Sequence, residues 1–161
     1  QGTADKMAAR MSDSVDQVSH NDPTVINSGW SISCATYNGS SKTGILYVNG
    51  ANVNSATNTL VDSLTNTSNF KIGDIDGAGA AADANGLIAY GAQWSKVLTS
   101  VEVEEFRWKP EFVRDSLGGL WPLWGASPEQ DLSGAGLTGT VTGSTTSSNG
   151  PPVGFGGLLP L

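Results

Sequence analysis

Strict alternation in the stretch WSISCATYNGSSKTGILYVNGANV, which begins at residue 30, most constrains what this chain can fold into. Its first run places Trp30, Ile32 and Cys34 at every second position, and its second run holds Ile45 and Tyr47. Period-2 alternation bounded by Asn, Gly and Ser clusters is typical of β-strands joined by a hairpin. The polar tip between the runs is longer than two residues, which predicts a loop of several residues.

The dipeptide Asn49-Gly50 closes the second run. Both residue types tolerate positive φ, so the dipeptide predicts a tight turn into a third strand. Further on, FKIGDIDG (70–77) predicts a strand that runs into a polar turn, and GLIAYGAQWSKVL predicts a strand that ends near Trp94. We expect Trp30 and Trp94 to face inward. The region from 30 to 90 is therefore predicted to be strand and turn throughout.

Composition supports an all-β domain. The 161 residues suffice for one domain, only 14% of them are charged, and glycine numbers 21. The formal charge of −7 argues against nucleic-acid or anionic-membrane partners, because phosphate binding needs clustered Lys and Arg. We find no apolar run long enough for a membrane span. The single cysteine, Cys34, is interpreted as a small buried hydrophobe.

One helix is well signalled. Thr99 is followed three residues later by Glu102, which predicts a capping box, and Pro110 predicts the end of the helix. Two sets of residues share a helical face, namely Val101, Glu105 and Trp108 on one side and Val103, Phe106 and Lys109 on the other. A single short helix among many strands favours an antiparallel β-sandwich with a capping helix.

The two ends of the chain are less regular. Residues Asp5–Met11 fit either an amphipathic helix or a strand. After the helix the chain is rich in Trp, Pro and Gly, and GLTGTVTGST is the one convincing strand there. The final GPPVGFGGLLPL is interpreted either as a docking arm or as an ordered terminus. The chain begins with Gln1 and is expected to be a processed product or a piece of something longer.

The order and spacing of these segments resemble the laminin G-like branch of the concanavalin A-like lectin/glucanase superfamily. The family has a W-x-x-x-A-T-Y-x-G strand, an L-Y-V-N-G strand, an x-I-G strand, a G-x-I-x-x-x-x-x-W strand and an L-T-x-x-E helix. The matching residues are Trp30, Ala35, Thr36, Tyr37, Gly39, Leu46, Tyr47, Val48, Asn49, Gly50, Ile72, Gly73, Gly86, Ile88, Trp94, Leu98, Thr99 and Glu102. The resemblance covers roughly residues 28–108 and implies an all-β, jelly-roll sandwich with one short helix.

A second resemblance concerns the segment LWPLWGASPEQDLSGAGLTGTVTG. It is similar to segments that follow such domains in phage and prophage proteins, and also to the opening of laminin G-like domains. The family has several strands before the W…ATY strand, whereas 29 residues precede it here, so the front of the sandwich is expected to be incomplete or permuted. We therefore assign residues 1–110 to the sandwich and residues 111–161 to a segment that packs on it or on a partner.

Catalytic chemistry is not indicated. The glucanase branch uses carboxylates in a Glu-x-Asp-x-x-Glu strand, and no such strand is present. His20 is the only histidine, and no Gly-x-Ser-x-Gly elbow occurs. We expect no enzyme activity.

Two kinds of ligand site remain open in the sequence. Oxygen ligands for Ca²⁺ are available in GDIDGAGAAADANG, although Asp and Gly in a turn also serve backbone geometry, so the cofactor is either none or calcium. The candidate metal ligands are Asp74, Asp76, Asp83 and Asn85. Trp121 and Trp124 are the candidate platforms for a sugar ring, with burial against the sandwich as the alternative.

Two functions follow from these expectations. The first is a non-catalytic structural or interaction module on a phage virion surface, such as a decoration, tail or fibre protein. Its partners would be other virion or self subunits in a homo-oligomer. The second is a carbohydrate-binding module that holds surface glycans, with or without calcium. The expected location is the virion surface or the extracellular space.

Overall fold

The computed structural model describes residues 6–12, 17–25, 30–57, 70–72, 87–110, 112–125 and 127–143. These residues form seven strands and one helix. The strands are β1 (Lys6–Ser12), β2 (Gln17–Val25), β3 (Ser33–Asn38), β4 (Thr43–Val48), β5 (Ala51–Thr57), β6 (Gly91–Trp94) and β7 (Leu117–Trp121), and the helix is α1 (Ser100–Trp108).

The all-β character with one short helix is confirmed. The strands make three small antiparallel sheets, β1-β2, β3-β4-β5 and β6-β7. The chain divides into two compact units. The first contains β1 to β5 and α1, and the second contains β6, β7 and the segment from 114 to 143.

The central meander of the first unit is the one that the alternation predicts. β3 pairs with β4 from Ser33–Val48 to Asn38–Thr43, and β4 pairs with β5 in turn. A four-residue loop joins β3 to β4, and Asn49 and Gly50 join β4 to β5 with φ values of 51° and 81°. Two consecutive residues with positive φ form the type of turn that matches the twist of paired strands.

The side chain of Asn49 also ties this turn to the strand before it. Its Oδ1 accepts a hydrogen bond from the Ile32 backbone N–H at 3.1 Å, and its own N–H donates to the Ile32 carbonyl at 2.9 Å. The Asn therefore does more than permit the backbone conformation. It fixes the start of the β3 segment against the end of β4.

α1 contributes its inner face to the core of the first unit. Val103 and Phe106 are buried, as the second of the two helical faces predicts, but Lys109 of that face is exposed. Among the residues of this unit whose burial the structure describes, Leu46, Tyr47, Leu98 and Val113 are also buried. The first helical face, with Val101 and Trp108, therefore points away from the core.

Some expectations need correction. Trp30 was expected to face inward but is 37% exposed, because it precedes β3 rather than lying within it. Residues 70–72, expected to begin a strand, are not in one. The ambiguous N-terminal residues form β1.

The largest correction concerns the region after α1. The sequence LGGLW forms β7 and pairs with β6, whereas GLTGTVTGST contributes one isolated bridge, Glu129 to Gly139, among its described residues. Gly119 makes this strand possible because a Cβ there would collide with the ring of Trp121, two residues on. Alternation alone cannot reveal such a strand, since two of its five residues have no side chain.

The capping box at the start of α1 is confirmed in full. The Glu102 N–H donates to Thr99 Oγ1 at 3.3 Å, and the Thr99 N–H donates to Glu102 Oε2 at 2.8 Å. Lys96 Nζ donates to Glu102 Oε1 at 2.6 Å. These donors, with the Lys96 ammonium first and the Thr99 backbone and hydroxyl next, lower the pKa of Glu102 from 4.5 to about 2.

We expect Thr99→Ala to lower the free energy of unfolding by about 1 kcal/mol, because the helix loses the acceptor for one of its free N–H groups. Chemical denaturation followed by circular dichroism measures the change. Thr99→Ser keeps the hydroxyl and serves as the control. Equal stability of the alanine and serine variants would contradict the capping role.

We expect the stability of the protein to fall between pH 4.5 and about pH 2 in part through Glu102. The folded-state pKa lies below the ordinary value, so the stabilisation is present above pH 4.5 and is lost as pH falls through the folded pKa. Thermal melts of the protein and of Glu102→Gln across this range test it. The two melting temperatures should converge on acidification, and a constant gap would contradict the assignment.

Candidate interaction surface

An open groove lies along the outward face of α1. It is lined by Ser100, Val101, Glu104, Glu105, Trp108 and Lys109, with Gly50 at its edge, and its volume is about 620 Å³. Val101 is 73% exposed and Trp108 is 51% exposed. We call these lining residues the α1 face. It offers two apolar side chains, one of them a large aromatic ring, within a polar border.

The ring of Trp108 is held in one orientation. Its Nε1 donates to Glu104 Oε1 at 3.0 Å, and the guanidinium carbon of Arg107 lies 4.6 Å from the ring centroid. Arg107 Nη1 lies 3.7 Å from Glu104 Oε1 and donates a 3.4 Å hydrogen bond to the Asn49 carbonyl. The β4–β5 turn thus supports the helix residues that orient the ring. A ring that is already ordered loses little side-chain entropy when it binds.

Gly50 has a specific role beside this face. A Cβ at this position would overlap the carboxylate of Glu104, and the residue has φ of 81°. Glycine is therefore needed both for the turn and for the close approach of the turn to α1. The Asn-Gly dipeptide predicted the turn. The approach of Gly50 to Glu104 of α1 could not be predicted from the sequence.

The two tryptophans predicted to hold a sugar ring differ from each other. Trp121 is buried, its Nε1 donates to the Leu137 carbonyl at 2.6 Å, and its ring stacks on Phe70 at 5.5 Å between centroids. Trp121 is therefore a packing residue, in line with burial, the alternative to a sugar-binding role. Trp124 is 57% exposed, and its backbone N–H donates to Glu129 Oε1 at 2.7 Å. The structure does not combine the two rings into one exposed platform.

Asp131 organises the segment that follows β7. Its Oδ1 accepts from the backbone N–H groups of Leu120 and Ser133, at 3.0 and 2.8 Å. Its Oδ2 accepts from the Ser133 hydroxyl at 2.8 Å and the Leu137 N–H at 3.0 Å. Burial raises the pKa of Asp131, but these four donors outweigh burial and leave the pKa below its ordinary value.

Glu129 and Asp131 have the Glu-x-Asp spacing of a glucanase strand without its third carboxylate. Glu129 is only 2% exposed, and one of its oxygens accepts from Trp124. The other oxygen, Oε2, has no hydrogen-bond partner within the described part of the chain. Glu129 accepts a hydrogen bond from the Trp124 backbone, and Asp131 accepts four hydrogen bonds within the same segment. Both carboxylates therefore serve the fold of this segment.

The four predicted calcium ligands, Asp74, Asp76, Asp83 and Asn85, lie outside the described residues. Within the described ranges, no group of three or more His, Cys, Asp or Glu side chains could hold a metal ion. Calcium binding by these four residues therefore stays a prediction.

Cys34 faces Tyr47 across the β3–β4 pair. The cysteine is partly buried, and burial raises the pKa of its thiol to about 11. The thiol is therefore protonated at neutral pH, in agreement with its interpretation as a small apolar side chain rather than a nucleophile. Tyr47 beside it is buried, and burial followed by the charge of Cys34 raises the pKa of the phenol.

The described residues contain no helix with the length and apolarity to cross a bilayer. α1, with nine residues, is a surface helix.

The described residues form small antiparallel sheets and one capped helix, which is an all-β architecture with little helix. A laminin G-like family model, described as the concanavalin A-like lectin/glucanases superfamily, matches residues 2–104. This match covers more than half of the chain, so the protein belongs to that superfamily, for which a β-sandwich and a binding role are expected. No curated protein and no solved structure matches the chain.

The family match confirms the resemblance read from the strand and helix motifs. It also begins at residue 2 and so includes β1 and β2, which lie upstream of the residues that carried the resemblance. The phage-type origin and the boundary at residue 110 stay predictions.

We expect Asp131→Ala to destabilise the second unit by about 3 kcal/mol, because hydrogen bonds to a charged acceptor are strong and three backbone N–H groups lose their partner. Ser133→Ala removes only the hydroxyl donor and should cost about 1 kcal/mol. Urea denaturation of both variants measures the difference. A cost for Asp131→Ala no larger than that for Ser133→Ala would contradict the organising role of this carboxylate.

Proposed function

We propose that this protein is a non-catalytic interaction module, built on a jelly-roll sandwich, whose α1 face binds another protein. We further propose that it is a phage virion-surface component, such as a decoration, tail or fibre protein, located on the virion surface or otherwise extracellular. Its partners are other virion subunits or copies of itself. The observation that carries the proposal is the oriented, half-exposed ring of Trp108 beside the exposed Val101.

Interface energetics support a protein partner. A few residues usually contribute most of the affinity of an interface, and Trp is prominent among them when polar residues surround it. Trp108 meets this description, since Glu104, Glu105 and Lys109 border it. Val101 adds apolar area on the same helical face.

The roles of the acidic residues support a non-catalytic module. Glu102 caps α1 and Glu104 orients Trp108, while Glu129 and Asp131 hold the segment after β7. Each has a structural task that accounts for its position. A hydrolase would need two carboxyl groups facing the same open cleft.

The virion role has a different support, which is the resemblance of LWPLWGASPEQDLSGAGLTGTVTG to segments of phage and prophage proteins. Mass spectrometry of phage particles purified from cultures of the source organism tests it directly. The chain should be present in those particles in a fixed ratio to the major structural proteins. Its absence from purified particles would refute the virion role and leave the binding role to be tested separately.

A carbohydrate-binding module is the second candidate, and the composition of the α1 face favours it. A Trp ring stacks on the apolar face of a sugar ring, and Ser100, Glu105 and Lys109 offer hydrogen-bonding groups for its hydroxyls. Calcium at the loop of Asp74 and Asp76 would belong to this candidate.

Trp108→Ala tests the proposal that the α1 face binds another protein. We expect it to reduce binding to a virion-protein partner at least tenfold, because a buried Trp at an interface contributes about 2 kcal/mol or more. Biolayer interferometry with immobilised protein and disassembled particle proteins measures it. Leu87→Ala, a change of an exposed apolar residue of the second unit, is the matched control and should bind normally.

The same variants should be applied to a glycan array with and without calcium. Glycan binding that Trp108→Ala abolishes would support the second candidate and overturn the first. Loss of protein binding in Trp124→Ala but not in Trp108→Ala would move the surface to the segment after β7 and contradict the proposal. Release of reducing sugar from any glycan would overturn the non-catalytic assignment.

A further inference from the structure

We propose that the tip of the β3–β4 hairpin carries a site of spontaneous deamidation, at which water converts Asn38 to aspartate or isoaspartate through a cyclic imide formed with Gly39. Asn38 is the last residue of β3, and the β3–β4 loop (residues 39–42) follows it. The inference follows from the hydrogen bonds of the Asn38 side chain, from the open surroundings of Gly39, and from the contrast with Asn49-Gly50.

The reaction has two steps and consumes only water. The Gly39 backbone nitrogen loses its proton to solvent base and attacks Cγ of Asn38. This closes an imide ring and releases the side-chain nitrogen, which takes up a proton, as ammonia. Water then opens the ring at one of its two carbonyls, so the chain exchanges an amide for a carboxylate and gains one negative charge. Because the nucleophile and the carbonyl belong to adjacent residues, the attack is intramolecular.

The side chain of Asn38 is already polarised for this attack. Its Oδ1 accepts hydrogen bonds from the backbone N–H groups of Ser40 at 2.9 Å and Ser41 at 3.1 Å. Negative charge develops on this same oxygen when the Gly39 nitrogen adds to Cγ. Two N–H donors that already point at the oxygen stabilise that charge, as an oxyanion hole does in acyl transfer.

Gly39 has the freedom that ring closure requires. Asn38 and Gly39 are both exposed, so water and hydroxide reach them. A Cβ at Gly39 would meet no atom of the described residues within 4 Å. The Gly39 N–H also has no hydrogen-bond partner in the part of the chain that the structure describes. The nitrogen therefore loses its proton and turns towards Cγ without giving up a backbone hydrogen bond there.

Asn49-Gly50 is the same dipeptide in a different setting. The Asn49 side chain is held to another segment, because its Oδ1 accepts from the Ile32 N–H at 3.1 Å and its own N–H donates to the Ile32 carbonyl. The carboxylate of Glu104 occupies the space beside Gly50. A negative charge at this place opposes both the loss of the Gly50 proton and the oxyanion of the intermediate. Asn49 is therefore expected to resist deamidation.

Peptide mapping by mass spectrometry, during incubation of the whole chain in mildly alkaline buffer, tests the inference. In the folded chain, Asn38 should deamidate at least tenfold faster than Asn49, which corresponds to a barrier lower by about 1.4 kcal/mol. In urea the two rates should become similar, because the dipeptides are identical and only the fold separates them. Chromatography resolves the aspartate and isoaspartate products of the cyclic imide.

Gly39→Ala tests the role of the Gly39 nitrogen. The φ of Gly39 lies outside the left-handed region and the space for a Cβ is open, so alanine fits the loop. Its methyl group hinders attack by the adjacent nitrogen, and deamidation of Asn38 should fall at least tenfold at an unchanged melting temperature. Ser41→Ala is the matched control. It keeps the backbone N–H that Asn38 accepts from and should react like the unaltered protein.

Three results would overturn the inference. The first is an Asn38 that stays intact in the folded chain while it deamidates in urea. The second is an equal rate at Asn38 and Asn49 in the folded chain. The third is an unchanged rate at Asn38 in Gly39→Ala, which would exclude the cyclic imide.

Discussion

The hydrogen-bonded box between Thr99 and Glu102 is the interaction on which the first unit depends most. It fixes the residue at which α1 begins, and the helical repeat then decides which side chains turn inward. With the start at Ser100, Val103 and Phe106 are buried while Val101 and Trp108 face outward. The cap therefore helps to set which side of α1 enters the core and which side is exposed.

The turn between β4 and β5 is the second constraint, because it joins the sheet to the helix. Asn49 binds Ile32 and also presents its carbonyl to Arg107, while Gly50 leaves room for Glu104. The same two helix residues orient the ring of Trp108. A turn that the sheet requires thus also helps to orient the Trp108 ring on the α1 face.

The second unit adds two carboxylates, buried Glu129 and half-buried Asp131, to a core that contains Leu120 and Trp121. Glu129 and Asp131 accept hydrogen bonds from the backbone of a segment that has little regular structure of its own. Such groups satisfy N–H donors that a sheet would otherwise pair. The spacing that a glucanase uses for chemistry here has a structural role, so a motif alone is weak support for an activity.

The sequence by itself determined the β3–β4–β5 meander, the tight turn at Asn49 and the limits of α1, because alternation, turn chemistry and capping are local properties. It did not determine β7, since LGGLW has no alternation and forms a strand only when β6 supplies its hydrogen bonds. Nor did it distinguish buried Trp121 from exposed Trp108. Which aromatic ring meets solvent depends on what packs against it, and residues distant in the chain, such as Phe70 against Trp121, decide that only in the tertiary structure.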